Sequence, residues 1–286
     1  TRYKLVTGVQ TCALPISDMS VVIITGASDG IGAELARQLA QAQGSKLSLV
    51  LAARSADKLE AVAQACRQHG ARVKVRATDV GIEADCRGLV QDTVEAFGQL
   101  DVLVNNAGMS AHALLEEVTD LAWYEQLMRI NLWGSVWCTH AALPHLKASQ
   151  GRIVAVSSLA GLVGVPGRTA YSATKFAMNG FFEALRVELQ PHGVSVTIAY
   201  PGVVATDIRY RGFNAQGNAA GKSGLDESGA MSVAECARLI REGMDRRERD
   251  IVMSFKGKLS RWMKLLAPKL VDKLAMAALK HEVRPH

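Results

Sequence analysis

The chain has 286 residues, of which 49% are hydrophobic and 21% are charged, a balance that fits one or two folded domains and excludes a disordered tail or a fibrous repeat. The net charge of +6 is not spread over the chain, because residues 254–286 hold eight basic and two acidic residues and residues 19–253 are nearly neutral. Basicity confined to one end does not indicate a basic face on the fold, so we expect no nucleic-acid partner.

Residues 1–18 do not match the pattern that follows them. They show no helical or strand period, and they lack the basic start, apolar run and cleavage site of a signal peptide. The stretch 6–16 resembles a translated sequencing adapter. We therefore expect Met19 to be the natural start and residues 1–18 to be non-native; a genuine but disordered extension is the alternative.

From residue 21 onward, predicted strands and helices alternate. The strands are predicted at 21–24, 47–53, 73–78, 100–105, 152–157 and 195–200, and the helices at 31–43, 57–69, 83–97, 121–146 and 170–190. The strands are rich in Val, Ile and Leu without polar alternation, which is typical of a parallel sheet covered by helices on both faces. We therefore expect a doubly wound α/β sheet in a single domain, residues 19–253, with its ligands beyond the C-terminal ends of the strands.

A glycine-rich turn follows the first strand and opens the first helix. Glycines let the backbone approach a pyrophosphate, and the N–H groups and partial positive charge of the helix N-terminus favour that anion. A purely structural strand-to-helix turn is the alternative. The candidate cofactor-binding residues of this turn are Gly26, Ser28, Asp29, Gly30, Ile31 and Gly32.

The residues after the second strand bear on the choice between NAD and NADP. In NAD enzymes an acidic residue that binds the ribose 2′-hydroxyl is expected about 20 residues after the last glycine. Ala52 and Ala53 stand there instead, and Arg54 follows, where a guanidinium can pair with a 2′-phosphate. Arg54 also suits a solvated loop charge, and Asp29 argues mildly against more negative charge nearby. We expect NADP(H) to be favoured over NAD(H).

Asp79 and Val80 end the third strand and belong to the same candidate site. A carboxylate at this position can accept a hydrogen bond from the adenine amino group. A helix cap or a loop carboxylate is the alternative interpretation of Asp79.

Tyr171 and Lys175 stand four residues apart in a predicted helix and so share one of its faces. An ammonium beside a phenol favours the phenolate, which lowers a phenol pKa from about 10 towards neutrality and suits proton exchange with a substrate oxygen. The spacing alone is common in surface pairs. The context is more specific, because Ser158 follows the fifth strand and Asn131 lies in the preceding helix.

Together these motifs resemble the short-chain dehydrogenase/reductase family. They occur in the order and spacing of the family over residues 21–206. The resemblance implies a Rossmann-like doubly wound fold and a nicotinamide cofactor. The matching motifs are Thr25-Gly26-x-x-x-Gly30-Ile31-Gly32, Asp79, Asn105-Asn106-Ala107-Gly108, Asn131, Ser158, Tyr171-x-x-x-Lys175 and Pro201-Gly202-Val203-Val204-Ala205-Thr206.

The resemblance also implies residue roles. Tyr171 would be the general acid in reduction and the base in oxidation, and Lys175 would lower its pKa and hold the nicotinamide ribose. Ser158 would stabilise charge on the substrate oxygen, and Asn131 would position a water that joins Lys175 to solvent. The hydride chemistry belongs to the cofactor. The residues expected to line the cofactor are Asn106, Ala107, Gly108, Pro201, Gly202, Val204 and Thr206.

The substrate is expected to be a hydrophobic ketone or alcohol, because Val163, Val165 and Pro166 make the predicted wall apolar. Met109 could cover an apolar substrate, with plain packing as the alternative. The glycine-rich segment 207–231 is too irregular for one helix and suits a lid, in which Tyr210 and Phe213 could cover the substrate or serve as plain packing. The leading hypothesis is an NADP-dependent carbonyl reductase or alcohol dehydrogenase. The alternatives are a 3-oxoacyl or other lipid-type ketoreductase and a non-catalytic nucleotide-binding scaffold at a membrane surface.

Three tryptophans lie in the helix around Asn131: Trp123, Trp133 and Trp137. Members of the family pair through this helix and the tyrosine helix, so the resemblance implies a homodimer or homotetramer.

The C-terminal residues 254–286 form a basic amphipathic pattern that Pro268 divides into two predicted helices. We favour packing of the apolar stripe on the body or on a second subunit. Peripheral contact with a membrane, with Trp262 at the headgroup level, is the alternative.

The five cysteines, Cys12, Cys66, Cys86, Cys138 and Cys236, form no C-x-x-C pair. Their scatter argues against a disulfide framework and a zinc site, so no metal is expected. It suits a reducing compartment, and we expect a cytoplasmic protein, with the membrane periphery as an alternative location.

Overall fold

The computed structural model describes residues 20–223, 227 and 229–282. In this part of the chain, seven parallel strands form one sheet in the order β3-β2-β1-β4-β5-β6-β7. The strands are β1 (Ser20–Thr25), β2 (Leu47–Ala53), β3 (Arg72–Ala77), β4 (Val102–Asn105), β5 (Arg152–Val156), β6 (Ser195–Tyr200) and β7 (Asp250–Val252). The predictions for residues 1–18 and for residues 283–286 lie outside the described residues.

Helices follow the strands and cover the sheet. They are α1 (Gly30–Gln43), α2 (Ala56–Gln68), α3 (Glu83–Phe97), α4 (Ala122–Met128), α5 (Gly134–Ala148), α6 (Thr169–Leu189), α7 (Val233–Asp245), α8 (Phe255–Leu266) and α9 (Pro268–Glu282). The doubly wound Rossmann-like sheet predicted from the sequence is confirmed.

Both faces of the sheet are buried, which explains why its strands are apolar at consecutive positions. Val22 and Ile24 of β1 belong to one core, which α1, α2 and α7 complete. Ile23, between them, belongs to the opposite core, which α3, α5 and α6 complete. Alternate residues of a strand point to opposite faces, so a strand buried on both faces needs apolar residues throughout.

Two features differ from the sequence prediction. The single helix expected at 121–146 is interrupted by a π-helical turn, Arg129–Trp133, between α4 and α5. The helix α7 and the short strand β7 were not predicted. The sheet therefore has one more strand than the alternation indicated, and β7 extends it beside β6.

The C-terminal segment forms the two helices α8 and α9, and Pro268 is the first residue of α9. A proline is tolerated there because the first turn of a helix leaves its N–H groups unpaired. Neither these helices nor any other helix among the described residues is long and apolar enough to span a bilayer.

Candidate active site

A cavity of about 910 Å³ opens at the C-terminal ends of the strands, the place predicted for the ligands. Of the predicted site residues, Gly32 and Asn131 do not line it. The others do: Gly26, Ser28, Asp29, Gly30, Ile31, Arg54, Asp79, Val80, Asn106, Ala107, Gly108, Ser158, Tyr171, Lys175, Pro201, Gly202, Val204 and Thr206.

The glycine-rich turn is held against the turn after β4. Gly26 has φ of +66°, and a Cβ placed on it would lie 2.8 Å from Cα of Ala107. The side chain of Asn106 donates hydrogen bonds to the carbonyl oxygens of Thr25 and Gly26, at 2.9 and 3.1 Å. The amide of Asn106 thus fixes the turn that would face a pyrophosphate, and no larger residue fits at Gly26.

Gly32 serves packing, in contrast to its predicted place in the cofactor site. A Cβ on this residue would lie 2.5 Å from both Nδ2 of Asn106 and the carbonyl oxygen of Gly26. Its position inside the first turn of α1 turns it away from the cavity and towards these two groups. The third glycine therefore lets α1 approach the turns after β1 and β4.

Two cations stand at the end of the cavity that follows β2. Arg54 is exposed and lines the cavity together with Ser55 and Lys58, which lies in the first turn of α2. Arg54 was predicted from its place after the strand. Lys58 was missed, although its spacing of four residues from Arg54 is the signal that could have found it.

The carboxylate of Asp29 is paired. Its Oδ2 accepts a hydrogen bond of 2.6 Å from Nη1 of Arg211, in the segment after β6. This bond raises the pKa of the Arg211 guanidinium above its usual value, and the charge of Asp29 adds to the effect. Arg211 also lines the cavity, so a cation offsets the negative charge that the sequence places in the glycine-rich turn.

Asp79 is a turn residue that also lines the cavity. Its Oδ1 accepts a hydrogen bond of 2.8 Å from the backbone N–H of Gly81, which makes it a turn residue. Its backbone N–H donates to Asp85 at 2.9 Å, and the residue lines the cavity. The loop role is therefore observed, and the adenine contact stays a prediction.

Two cationic side chains lie near the ring of Tyr171. The guanidinium carbon of Arg168 is 4.3 Å from the centroid of its ring, and Nζ of Lys175 is 5.8 Å from the same point. Nη2 of Arg168 donates to Oγ of Ser110 at 2.6 Å, which anchors the guanidinium. The contribution of Arg168 was not predicted, because its spacing from Tyr171 carries no familiar motif.

Lys175 is almost fully buried, at 3% exposure. Its ammonium donates to the carbonyl oxygen of Val156 at 2.9 Å. Burial lowers the pKa of Lys175; the nearby Tyr171 acts in the opposite direction, and Arg168 lowers it further. A buried ammonium that lines a cavity beside a phenol is suited to hold both a ligand hydroxyl and the charge of a phenolate.

Ser158 begins a short 3₁₀ turn after β5 and has an extended backbone. Its Oγ accepts a bond of 3.2 Å from the backbone N–H of Ala160. The preceding Ser157 is buried and donates to Oδ1 of Asn179 on α6 at 2.6 Å. The tyrosine helix therefore holds the turn that presents Ser158 to the cavity.

Asn131 is fully buried within the π-helical turn. Its Oδ1 accepts from the backbone N–H of Met109 at 2.7 Å, and its Nδ2 donates to Oγ1 of Thr174 at 3.0 Å. It thus ties the turn after β4 to α6. The predicted water beside Lys175 stays a prediction, and π-helical turns of this kind are frequent at functional sites.

The cavity is apolar near the predicted catalytic residues. Met109 and Val165 line it, Val163 and Pro166 of the predicted wall do not, and Leu159 and Ile208 add to the apolar lining. Phe213, one of the residues considered for the lid, packs instead against Trp123 at a centroid distance of 5.6 Å. Among the described residues, no three His, Cys, Asp or Glu side chains converge on a metal site.

The sequence matches the family model of the short chain dehydrogenases over residues 20–216. It is 38% identical to the 11-beta-hydroxysteroid dehydrogenase-like 2 protein of Arabidopsis thaliana over 255 residues, 89% of this chain and 80% of that protein. It is also 38% identical to the 11-beta-hydroxysteroid dehydrogenase 1A of the same plant, over 88% of this chain and 73% of that protein.

Solved structures agree with the sequence matches. An alcohol dehydrogenase from Thermococcus sibiricus, complexed with 5-hydroxy-NADP, has a TM-score of 0.70 and 29% identity over 82% of this chain and 94% of that one. A short chain dehydrogenase/reductase from Burkholderia phymatum, in complex with NAD, has a TM-score of 0.77 and 25% identity over 90% and 96% of the two chains. This chain therefore belongs to the short-chain dehydrogenase/reductase family, whose members are oxidoreductases that interconvert CH–OH and C=O groups with a nicotinamide cofactor.

Proposed function

We propose that this enzyme is an NADP(H)-dependent oxidoreductase that interconverts a hydrophobic ketone and its secondary alcohol, with Tyr171 as the general acid and base. One observation carries the proposal. The cavity that Tyr171, Lys175 and Ser158 line also contains the cations Arg54 and Lys58 at the end that follows β2. The residues proposed for proton transfer and those proposed for anion binding therefore share one open cavity.

The residues present suit a nicotinamide dinucleotide. The glycine-rich turn and the N-terminus of α1 offer N–H groups to a pyrophosphate, and the close approach at Gly26 leaves the backbone open to the cavity. Asp79, Asn106, Ala107 and Gly108 would line the same cofactor further along. When bound, the cofactor supplies or accepts the hydride.

The protein's own contribution is proton transfer and placement. Tyr171 donates its phenolic proton to the carbonyl oxygen during reduction and takes a proton from the hydroxyl during oxidation. Lys175 and Arg168, both near the ring, would favour the phenolate by their charge. Ser158 donates a hydrogen bond to the same substrate oxygen, where negative charge develops.

The preference for NADP(H) rests on charge. Arg54 and Lys58 place two cations where a 2′-phosphate would lie, and the pairing of Asp29 with Arg211 removes the mild objection that the sequence raised. One structural neighbour is complexed with a derivative of NADP and another with NAD. These neighbours do not distinguish the two cofactors, so the proposed preference rests on the residues of this chain.

The apolar wall supports a hydrophobic substrate. Met109, Leu159 and Val165 lie beside the predicted catalytic residues, and a cavity of about 910 Å³ has room for a large ring system next to a cofactor. The relatives named as 11-beta-hydroxysteroid dehydrogenases point to steroid-like ketones as a first class to test.

We further propose a cytoplasmic homodimer or homotetramer. The outer face of α6 is lined with small residues, Ala173, Gly180 and Ala184, and is exposed in the single chain. A Cβ on Gly180 would meet nothing within 4 Å, so there is open space at this position. Trp133 is 48% exposed and stacks on Trp137 beside this face. Trp123, by contrast, is buried and belongs to the core of its own chain.

The test is a panel of oxidation assays for NADPH and NADH. We expect turnover with steroid-like or other hydrophobic ketones, faster with NADPH, and little with a charged sugar. A strong preference for 3-oxoacyl thioesters would move the assignment to the lipid-type ketoreductase. NADPH binding, followed by a rise in Tm, without turnover of any ketone would favour the scaffold and contradict the proposal.

A further inference from the structure

The C-terminal helix α8 turns its polar side towards the protein. Gly257, Arg261 and Lys264 are spaced by four and three residues and so share one face. A Cβ on Gly257 would lie 2.5 Å from Cδ2 of Leu159. Nη1 of Arg261 is 3.1 Å from Oδ2 of Asp250, and Nζ of Lys264 donates to the carbonyl oxygen of Leu162 at 3.1 Å. This face is therefore fixed against the body of the chain.

The opposite side of α8 is apolar and exposed. Phe255, Leu259, Trp262 and Leu266 recur at four- and three-residue spacing, so they form one stripe. Phe255 is 80% exposed, Trp262 65% and Leu266 84%. Helix α9 packs on α8 and continues the surface with the exposed Leu270 and Leu274. A helix at the surface of a protein in water normally buries its apolar side, whereas α8 exposes it and turns its polar side to the protein. The favoured prediction was packing of the stripe on the body or on a second subunit, and the first of these is wrong, because the stripe is exposed in the single chain.

We propose that α8 and α9 bind the surface of a membrane that contains anionic lipid. The outward stripe supplies the apolar area that enters the boundary between headgroups and acyl chains, and Trp262 suits the headgroup level. Exposed lysines, Lys258, Lys269 and Lys273, flank the stripe and complement acidic headgroups. Peripheral contact of this kind fits helices too short and too polar to span the bilayer.

The charge of the segment favours a membrane over a second copy of the chain. Residues 254–286 hold eight basic and two acidic residues, so two such segments facing each other would bring like charges together. Few carboxylates are present to pair with those charges. A contact between two copies of this segment would need acidic residues to pair with the basic ones, or an uncharged rim.

The experiment is sedimentation of the full chain with vesicles of phosphatidylcholine, alone or mixed with phosphatidylglycerol. The expected result is binding to the mixed vesicles only, with loss of binding as salt rises, because exposed charges are screened within about 10 Å at 0.1 M salt. The double variant Lys258→Gln/Lys269→Gln should bind about 25-fold more weakly, because each basic residue near the membrane contributes about fivefold to the affinity. Lys147→Gln, an exposed lysine on α5, is the matched control and should bind as the parent does.

A second variant tests the apolar stripe. Trp262→Ser with Leu266→Ser removes two exposed side chains, so Tm should be unchanged while vesicle binding is lost. Absence of binding to mixed vesicles by the parent chain would overturn the proposal. A change in oligomeric state of this variant, measured by sedimentation equilibrium, would do the same, because it would assign the stripe to a subunit contact.

Discussion

Nη1 of Arg211 lies 2.6 Å from Oδ2 of Asp29, although the two residues are 182 positions apart in the chain. The contact joins the segment after β6 to the turn that opens α1. It places a cation where the cofactor's phosphates are expected and neutralises the carboxylate that would repel them. The segment after β6 thus contributes to the candidate cofactor site by charge as well as by lining the cavity.

Removal of Arg211 should therefore weaken dinucleotide binding. We expect Arg211→Ala to raise the dissociation constants of NADPH and NADH about fivefold, which is about 1 kcal/mol, the upper range for an exposed ion pair. The double variant Asp29→Asn/Arg211→Ala should recover most of this loss, since it has no unpaired carboxylate. Titration calorimetry on the two variants checks this, and a double variant as weak as Arg211→Ala would show that the pairing is irrelevant.

The two cations after β2 should control the choice of cofactor. Arg54→Asp is expected to raise the dissociation constant of NADPH by at least about tenfold, because one charge-assisted hydrogen bond is lost. The preference for NADPH over NADH should fall accordingly. Lys58→Ala should give a smaller loss in the same direction. Lys46→Asp, an exposed lysine before β2, serves as the control. If the parent enzyme already uses NADH as well as NADPH, the assignment to NADP(H) is incorrect.

The packing of the glycine-rich turn predicts a cost in stability. Gly26→Ala combines a left-handed φ of +66° with a contact of 2.8 Å to Cα of Ala107. Gly98→Ala isolates the first effect, because Gly98 has φ of +75° and nothing within 4 Å. We expect Gly98→Ala to cost about 1–2 kcal/mol and Gly26→Ala about 1–3 kcal/mol more, measured by urea unfolding. Equal losses would mean that the turn relaxes to accept the methyl group.

Burial of Lys175 predicts a pH dependence of stability. The pKa of the buried ammonium lies below its usual 10.5, so the unfolded chain binds more protons between the folded pKa and 10.5, and the stability contributed by this group rises with pH in that window. Below the folded pKa the burial penalty is complete.

Lys175→Met removes this dependence. The free energy of unfolding of the parent, minus that of the variant, should therefore increase between pH 7 and pH 10 in urea titrations. A difference that stays constant or falls with pH would show that the ammonium is not destabilised by burial.

The alternating strands and helices up to β6, and about half of the residues that line the cavity, could be predicted from the sequence because both depend on local patterns. Buried parallel strands have a simple composition, and the residues after them share one edge of the sheet. The strand β7 was missed because three residues carry no period. The helix α7 had a usable signal, since Ser232 and Glu235 form an N-terminal cap in which Oγ of Ser232 accepts from the backbone N–H of Glu235 at 3.1 Å.

The contacts that were missed are long-range. The pairing of Arg211 with Asp29 depends on where the segment after β6 crosses the sheet, which no local pattern specifies. The favoured packing of the α8 stripe on the body was wrong for a related reason. Its amphipathic period is evident in the sequence, but the period does not tell which side faces the body, and the contacts of Arg261 and Lys264 decide this.

The central claim is proton transfer by Tyr171, and one measurement tests it directly: the single-turnover rate of NADPH oxidation with a saturating hydrophobic ketone in Tyr171→Phe and in the parent enzyme. The ring of Tyr171 remains in the variant, so NADPH affinity and Tm should be preserved while the rate falls about 10²- to 10⁴-fold. The control is Tyr124→Phe, which removes a hydroxyl that hydrogen-bonds to Thr169 on α6, the helix of Tyr171. This variant should keep the parent rate. A near-normal rate in Tyr171→Phe, with normal cofactor binding, would contradict the account.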